Sequence, residues 1–469
     1  MRELAELLRD EALKRKVDFM DVRIVASDHT SISLQDGKAD KVAYGKALGM
    51  GVRVLLDGVW GFAASSGTER AAATECLESA ISMAKASGAR IGERVGIHKT
   101  DPVIDHVEAE YEKDPRVIPI DRKMQVLLDF EKAALDYGKD KIINTTLGYA
   151  DSVRTEVICN TFGTSIESQY VRTRVSCGIT AGERNIRQRA SEGRAKLAGF
   201  ELIAEIEPKE FSAKVAETAV SLLSAKRAPS GKIPVVFHPR TASLLIHEAL
   251  GHNAEADHVL SGESILEGKM GQKIAADCVT VVDDGTIKGA WGSYKYDSEG
   301  TQAQRRIIIE NGVLKSYMHS LETASRFGVP PNGSARAEHY DCRPIVRMSN
   351  TFVAPGDSSF EQLIKDIDLG IFVKGGQWGY VFCEKGQYTC HVGEGWIIRK
   401  GELAEHIRDV SMSGMILETL MKVDGVSQEF EMDKGGGTCG KSGQGIPVSG
   451  GGPYIRVKEM VVGGQESLI

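Results

Sequence analysis

Long apolar runs are missing from this sequence: none approaches the roughly 18 residues that a membrane-spanning helix requires. The N-terminal stretch MRELAELLRDEALKRK is charged and amphipathic, unlike the apolar centre of a secretory signal peptide. An excess of basic residues is also missing, since the formal net charge is −7, and this argues against a nucleic-acid partner. The eight cysteines are scattered through a long chain without a secretory signal, so we expect reduced thiols in a cytoplasmic protein.

The length of 469 residues exceeds what one hydrophobic core supports, and it predicts two domains. Segments with alternating polar and apolar residues occur in groups, separated by stretches of helical periodicity. Strands grouped in this way indicate an α+β fold with antiparallel or mixed sheets and packed helices. The best linker is KRAPSGK (226–232), because it is basic and carries proline and glycine. We therefore expect an N-terminal α+β domain at 1–226 and a C-terminal domain at 227–469.

Periodicity and turn-forming pairs give the expected elements of both halves. In the N-terminal half, helices are predicted at 2–16, 69–87, 119–137 and about 208–224, strands at 21–27 and 30–35, and hairpin turns at the Asp-Gly pairs 36–37 and 57–58. Glycines 45, 49 and 51 mark places where backbones approach closely. In the C-terminal half, hairpins are predicted around 284–285 and 311–312, and helices at 320–326, 360–367 and 413–423.

The stretch HEALGHNAEAD (247–257) holds two histidines and a glutamate close together. His247 and Glu248 are adjacent, and His252 follows at i+5, whereas the zinc-protease pattern H-E-x-x-H uses i+4. At about 100° per residue, a spacing of five leaves the two rings roughly 140° apart on a regular helix. A π-turn, or a helix that loosens at Gly251, would bring the rings together. The pair therefore needs a distorted turn in order to bind a metal.

The chemistry available to these residues is specific. Neutral imidazole is a good zinc ligand, and a catalytic zinc site has three protein ligands and one water. Zinc lowers the pKa of that water toward about 7. Glu248, beside the first histidine, is therefore the candidate general base, which accepts the proton and later passes it to a leaving amine.

Five further polar residues are candidates for the surroundings of such a site. Glu255 lies three residues after His252 and is a candidate third ligand. Asp257 is instead a candidate acceptor for a histidine N–H, as carboxylates behind metal ligands usually are. Tyr340, together with Arg336 and Arg347, is a candidate donor to a developing oxyanion, and Arg336 and Tyr340 are also candidates for binding substrate.

The stretch GGGTCGKS (435–442) matches the phosphate-loop pattern G-x-x-x-x-G-K-S. In that motif Lys441 would contact phosphates and Ser442 a magnesium ion. The motif also needs a helix directly after it, but the following GQGIPVSGGGP is too rich in glycine and proline for a helix to begin. We therefore favour a glycine-rich loop that brings its backbone close to a metal or a peptide.

HEALGH, followed by Glu255 and Asp257, resembles the signature of the TldD/PmbA peptidases, and in particular of the metal-binding TldD branch. The resemblance extends over most of the chain. Three more stretches match that family in kind and order, namely GMGVRVLLDGVWGFA (49–63), SARAEHYDCRPIVRMSNTFVAPG (334–356) and GTCGKSGQGIPVSGG (437–451).

This resemblance implies a zinc-dependent peptidase that acts on unfolded or small peptides. It implies His, His and Cys ligands and a glutamate base, and these roles fall here on His247, His252, Cys439 and Glu248. The residues alone leave Glu255 and Cys439 open as third ligand, and the resemblance favours Cys439. It further implies that the N-terminal domain helps to form a substrate chamber in a homodimer, or in a heterodimer with a PmbA-like paralogue.

Two alternative functions come from other classes of protein. The first is a non-catalytic partner or modulator subunit, like the metal-less PmbA branch, and the intact histidine–glutamate–histidine set argues against it. The second is a nucleotide-binding protein that uses the 435–442 stretch. A metal assay on the purified chain distinguishes the peptidase from both.

Overall fold

The strands of the protein form two large sheets in the computed structural model, which describes residues 1–88, 94–138, 140–375, 378–463 and 466–467. A seven-stranded sheet uses strands up to Lys196, and a 14-stranded sheet uses strands from Lys226 onwards. Both sheets combine antiparallel with parallel pairs, and helices pack on them, so the α+β class is confirmed. The domain boundary at 226/227 stays a prediction. No helix in the described part of the chain is long and apolar enough to cross a membrane.

The first sheet contains the strands β1 (Phe19–Gln35), β2 (Lys38–Leu56), β3 (Val59–Ser65), β4 (Ile104–Val107), β5 (Ile142–Asn160), β6 (Ser165–Glu183) and β7 (Ile186–Lys196). Their spatial order is β3-β2-β1-β5-β6-β4, and β7 pairs with β6. Only β4 and β6 pair in parallel among these strands. The helices of this half are α1 (Arg2–Lys14), α2 (Arg70–Gly88), α3 (Ile120–Gly138) and α4 (Lys214–Ser221), the last preceded by a π-helical turn at Lys209–Ala213.

The two faces of this sheet differ in character because successive side chains of a strand point in opposite directions. On β1, Met20 and Val22 pack under α1 and α2, and the far ends of β1, β5 and β6 pack under α3 and α4. Asp21 and Arg23 alternate with the apolar residues and point to the other face. There Arg23 donates to the backbone carbonyl of His339, so the charged face of the first sheet meets the C-terminal half.

The structure confirms α1, α2, α3 and both Asp-Gly turns, in which each aspartate and the following glycine have positive φ. The predicted strands at 21–27 and 30–35 form one continuous strand, β1. The predicted linker at 226–232 is wrong: it lies in β8 (Lys226–Arg227) and β9 (Pro229–Phe237), where Pro229 takes the first position, which a strand tolerates. β7 is not predicted, because polar residues occupy most of its positions and no alternation of polar and apolar residues is visible in its sequence.

The second sheet contains β8, β9, β10 (Val281–Asp284), β11 (Arg305–Glu310), β12 (Val313–Leu314), β15 (Asn350–Val353), β16 (Leu369–Lys374), β17 (Trp378–Phe382), β18 (Gln387–Arg399), β19 (Glu402–Met415), β20 (Val423–Met432), β21 (Gly437–Lys441), β22 (Gln444–Gly463) and β23 (Glu466–Ser467). β13 (Ala335–Arg336) and β14 (Ile345–Val346) form a separate pair. The helices are α5 (Pro239–Ile246), α6 (Ala256–Leu260), α7 (Leu321–Phe327), α8 (Phe360–Ile364) and α9 (Ile416–Met421). Helix α5 lies against β22, the longest strand, and this contact positions the candidate site.

The C-terminal predictions are partly confirmed. The hairpin at Asn311-Gly312 joins β11 and β12 as expected. The prediction of a hairpin at Asp284-Gly285 is wrong. β10 pairs with β11 and β15. At its end the Asp284 carboxylate accepts a hydrogen bond from the backbone N–H of Thr286, and this bond closes a local turn. The helices predicted at 360–367 and 413–423 are shorter, and the latter gives way to β20 at Val423.

Glycines on β2 allow the two halves to touch. A Cβ at Gly49 would lie 2.4 Å from Cζ of Tyr340, and a Cβ at Gly51 would lie 2.0 Å from the backbone oxygen of Tyr340. This contact confirms the close approach predicted for these two glycines. Beside it, Arg53 of β2 pairs with Asp21 and, across the junction, with Glu299 at 2.7 Å.

Because the atom nearest to Gly51 is backbone, Gly51→Ala must displace the Tyr340 segment. We expect a loss of about 1–3 kcal/mol in the free energy of unfolding, typical of an overpacked site. Urea denaturation of the variant and of the wild type measures it. Gly463→Ala is the matched control, since its Cβ would meet its nearest atoms at 3.8 and 3.9 Å. Equal midpoints for Gly51→Ala and the wild type would contradict the close junction.

Candidate metal centre

The two histidines lie on a turn that departs from a regular α-helix. Helix α5 begins at Pro239, after His238 accepts a hydrogen bond from the N–H of Arg240, and it continues into a π-helical turn at His247–Gly251. A π-turn accommodates an extra residue, so side chains at i and i+5 share one side. The ring centroids of His247 and His252 are therefore only 5.2 Å apart. Of the two distortions considered from the sequence, the π-turn is the one that forms.

Gly251 is needed in this turn because it lacks a side chain, and not because its backbone conformation is unusual. Its φ of −54° and ψ of −53° are helical, so the helix does not loosen there. A Cβ at this position would lie 2.0 Å from Sδ of Met348. Glycine thus allows the π-turn to pack directly against the segment that precedes β15.

Cys439 of β21 completes a compact group with these two histidines. One ligand atom from each of His247, His252 and Cys439 lies within 4.8 Å of the others, and Sγ of Cys439 is 3.4 Å from Nε2 of His252. The strand is held in place by Arg347, which donates to the carbonyls of Cys439 and Gln444. Burial alone would raise the pKa of the Cys439 thiol, but hydrogen bonds with the two imidazoles lower it to about 5. The thiolate, the form that binds metals, therefore prevails at neutral pH.

A carboxylate network orients His252 from behind. Nδ1 of His252 lies 3.1 Å from Oε2 of the fully buried Glu255, which leaves Nε2 for the group formed with Cys439. The same carboxylate oxygen accepts from Nζ of Lys441 at 3.0 Å, and Asp257 accepts from that ammonium at 2.7 Å. Burial would raise the pKa of Glu255, but Lys441 and His252 lower it to about 2. The histidine contact suggested for Asp257 is thus made by Glu255, while Asp257 holds Lys441.

The glycine-rich 435–442 stretch has the geometry of a hairpin and not of a phosphate loop. β21 pairs with β22 through a turn at Ser442-Gly443, and a strand follows where a phosphate loop needs a helix. Lys441 directs its ammonium to two carboxylates and to the carbonyl of Val346 at 3.1 Å. From the sequence, a phosphate contact is the only role predicted for Lys441. The spacing of Cys439 and Lys441 at i and i+2 is the signal for its observed position, because it places both side chains on one face of a strand.

Glu248 projects from the π-turn that carries both candidate histidine ligands. Its side chain is partly exposed and lies next to β17, since a Cβ at Gly379 would be 3.4 Å from Cγ of Glu248. It is therefore one residue from His247 and on the accessible side of the turn. That placement suits a group that exchanges protons with water or substrate.

The two remaining predicted residues lie farther toward the first sheet. Arg336, only 7% exposed, donates to the carbonyl of Met348 at 2.7 Å and lies over the ring of Tyr294. Tyr340 packs against Gly49 at the junction of the two halves. The role of either residue as an oxyanion donor stays a prediction.

Two imidazoles and one thiolate form a donor set that suits zinc, and the carboxylate behind His252 is the support that zinc-binding histidines usually have. The fold and this group define an α+β protein with a candidate transition-metal centre. Comparison with known proteins agrees: three models of the PmbA/TldA metallopeptidases match the chain, the first domain at 20–84, the central domain at 113–223 and the C-terminal domain at 230–464. The chain belongs to the PmbA/TldD family of metallopeptidases.

Individual relatives support this assignment. A metalloprotease of Methanothermobacter thermautotrophicus is 39% identical over 98% of both chains. A zinc metalloprotease TldD homolog of Saccharolobus solfataricus is 32% identical over 54% of this chain and 56% of its own. A crystal structure from Thermotoga maritima, described as a candidate modulator of a DNA gyrase, has a TM-score of 0.81 and 23% identity, covering 98% of this chain and 99% of its own. At that identity the crystal structure shows the shared fold alone.

Proposed function

We propose that the protein is a cytoplasmic zinc-dependent peptidase that hydrolyses unfolded or small peptides. The convergence of His247, His252 and Cys439 within 4.8 Å, next to Glu248 on the same turn, is the observation that carries the proposal. The family assignment and the relative named a zinc metalloprotease support it.

Each residue has a distinct task in the proposed reaction. His247, His252 and Cys439 would hold the zinc ion, and Glu255 would keep Nε2 of His252 directed at it. Bound zinc supplies Lewis-acid chemistry, because it polarises a carbonyl and acidifies water. Glu248 accepts the proton of the attacking water and returns it to the departing amine, as a general base that becomes a general acid.

The substrate is proposed to bind as an extended chain. β22 is the partner of β21 among the described strands, and we propose that the peptide adds to the opposite edge of β21, next to Cys439. Such pairing recognises the main chain, so sequence preference should be loose. A folded protein cannot present an extended segment without opening.

Elemental analysis is expected to find about one zinc per chain, and removing it with a chelator should abolish peptide hydrolysis. An unstructured peptide should be cut, and a stably folded protein should be cut at least about 10³-fold more slowly than the same protein in unfolded form, because opening costs 5 kcal/mol or more. A purified chain that holds no transition metal, or that cuts both forms at similar rates, would overturn the proposal.

We further propose that the chain works as a homodimer or with a PmbA-like paralogue, and light scattering on the purified protein tests the first arrangement. A non-catalytic modulator is less well supported, because it does not require Glu248 beside the two histidines. A nucleotide-binding function is less well supported too, because Lys441 already contacts Glu255 and Asp257.

A further inference from the structure

A small cavity lies between the two halves of the protein, close to the candidate metal centre. Its volume is about 90 Å³, and residues from both sheets line it. Arg172 reaches it from β6 of the first sheet, and Arg336 reaches it from β13 in the C-terminal half. Tyr170 and Tyr294 complete this side of the wall, and the rings lie under Arg172 and Arg336, respectively. We call this space the arginine cavity.

The two guanidinium groups have no carboxylate partner within ion-pairing distance in the described part of the chain. Arg172 has only two backbone carbonyl contacts, with Trp291 and Ser293, and both are long at 3.4 Å. Arg336 donates to the carbonyl of Met348. Burial, and then the neighbouring Arg336, lower the pKa of Arg172 to about 9, and burial lowers that of Arg336 to about 10. Glu156 of the cavity wall attracts Arg172 only from beyond ion-pairing distance. Two neighbouring cations without a directly paired anion weaken the fold, and such sites usually serve a ligand.

The carboxylates in the cavity wall have other partners. Glu156 lies 3.5 Å from Arg154 and 3.7 Å from Arg23. Glu338 accepts from the N–H of Gly445 at 2.7 Å. Asp297 accepts from three backbone N–H groups, and burial followed by repulsion from Glu299 raises its pKa. No carboxylate in the described part of this wall therefore forms an ion pair with Arg172 or Arg336.

The arginine cavity is one strand pair away from the candidate metal ligand Cys439. Ile446 lines the cavity, and it is the cross-strand partner of Cys439 in the β21–β22 hairpin. A second connection runs through Met348, whose carbonyl accepts from Arg336 and whose Sδ would lie 2.0 Å from a Cβ at Gly251 of the π-turn. A ligand in this cavity thus lies next to the site at which a peptide would be cut.

We propose that Arg172 and Arg336 bind the free C-terminal carboxylate of the peptide substrate, so that the enzyme releases short C-terminal fragments. This inference rests on the proposed peptidase function and names the substrate end that the site selects. Arginine matches a carboxylate with two parallel hydrogen bonds, and such charge-assisted bonds are strong when water is excluded. A cavity of about 90 Å³ has room for a carboxylate group.

The short distance between the arginine cavity and Cys439 limits the length of the peptide fragment that is released. Residues opposite each other in an antiparallel pair have Cα atoms about 4.5–5.5 Å apart, and an extended peptide advances about 3.3 Å per residue. A carboxylate bound beside Ile446, with the scissile bond beside Cys439, therefore belongs to a fragment of only a few residues. The side chain of an aspartate or glutamate offers the same chemistry, and the test separates the two sources.

The test measures binding apart from cleavage. Fluorescently labelled peptides without acidic residues are prepared as free acids and as C-terminal amides, and their binding to the Glu248→Gln enzyme is followed by anisotropy. We expect the free acid to bind about 10- to 100-fold more tightly than the amide, as expected for charged hydrogen bonds. In Glu248→Gln/Arg172→Met this ratio should fall to near 1, and Arg172→Lys, which keeps the charge, should restore part of it.

Arg174→Met is the matched control, because Arg174 lies two residues along the same face of β6, near Asp433 and outside the cavity wall. It should keep the preference for the free acid. Arg172→Met should melt at the same temperature as the wild type or higher, since it removes one of two repelling charges. A purely structural role for Arg172 would instead lower the melting temperature and leave the preference intact.

Three outcomes would overturn the proposed pocket for the C-terminal carboxylate. Equal binding of acid and amide, or an unchanged ratio in Arg172→Met, would show that the arginine cavity does not bind the carboxylate. An amide whose affinity is restored by an internal glutamate would overturn the choice of the C-terminal carboxylate, because the cavity would then bind an acidic side chain. In the enzyme with Glu248 intact, hydrolysis of acid and amide at the same rate would refute the pocket and leave the peptidase standing. Absence of hydrolysis together with a normal acid preference would refute the peptidase instead.

Discussion

Replacement of Glu248 by glutamine is expected to lower kcat for peptide hydrolysis by about 10²–10⁴-fold, the usual contribution of a general base. Glutamine has the same shape but cannot accept the proton of the attacking water. The three candidate ligands are untouched by the change, so the zinc content should remain that of the wild type. Kinetics on an unstructured peptide, together with elemental analysis of the same preparation, measure both quantities.

Glu267→Gln is the control for the change of charge, because Glu267 is exposed and lies outside the turn that carries the histidines. It should keep its zinc and its rate. If Glu248→Gln cuts peptides as fast as the wild type, the residue is not the base. If it loses zinc as well as activity, its role is in holding the metal.

Cys439→Ala is expected to lose most of its zinc and with it most of the peptidase activity. Two histidines on one turn leave a catalytic zinc site one protein ligand short of its usual three. The thiol is 3% exposed and lies 3.4 Å from Nε2 of His252, so no other side chain of β21 can replace it without moving the strand. Zinc per chain, measured after dialysis against buffer without metal, gives the result directly.

Other variants separate the candidate ligands in this region. Cys390→Ala, at a buried cysteine of β18, should retain its zinc and controls for the loss of a thiol. Lys441→Met and Glu255→Gln remove members of the hydrogen-bonded network that orients His252. We expect each variant to bind zinc about 10–100-fold more weakly and to regain full occupancy at saturating zinc. Full occupancy in Cys439→Ala would refute its assignment, and zinc loss confined to Glu255→Gln would identify that carboxylate as the ligand.

Local patterns account for much of what the sequence predicts correctly. The helices α1, α2 and α3 follow from apolar periodicity, and the turns at Asp36-Gly37, Asp57-Gly58 and Asn311-Gly312 follow from residues that tolerate positive φ. Failures occur where tertiary contacts override a local preference. The 226–232 segment carries the residues of a linker, yet β8 pairs with β19 and β9 pairs with β16 and β22.

The sequence by itself determines the pair of histidines, the adjacent glutamate and the need for a distorted turn between them, because these depend on residues close along the chain. Only the tertiary structure brings Cys439 to that turn, since 187 residues separate it from His252 and its position depends on how β21 pairs with β22 and how α5 packs on β22. The same holds for Arg172 and Arg336, which meet across the junction of the two halves. Spacing along a chain fixes angles on one turn, whereas the register of distant strands is set by the packing of the whole core.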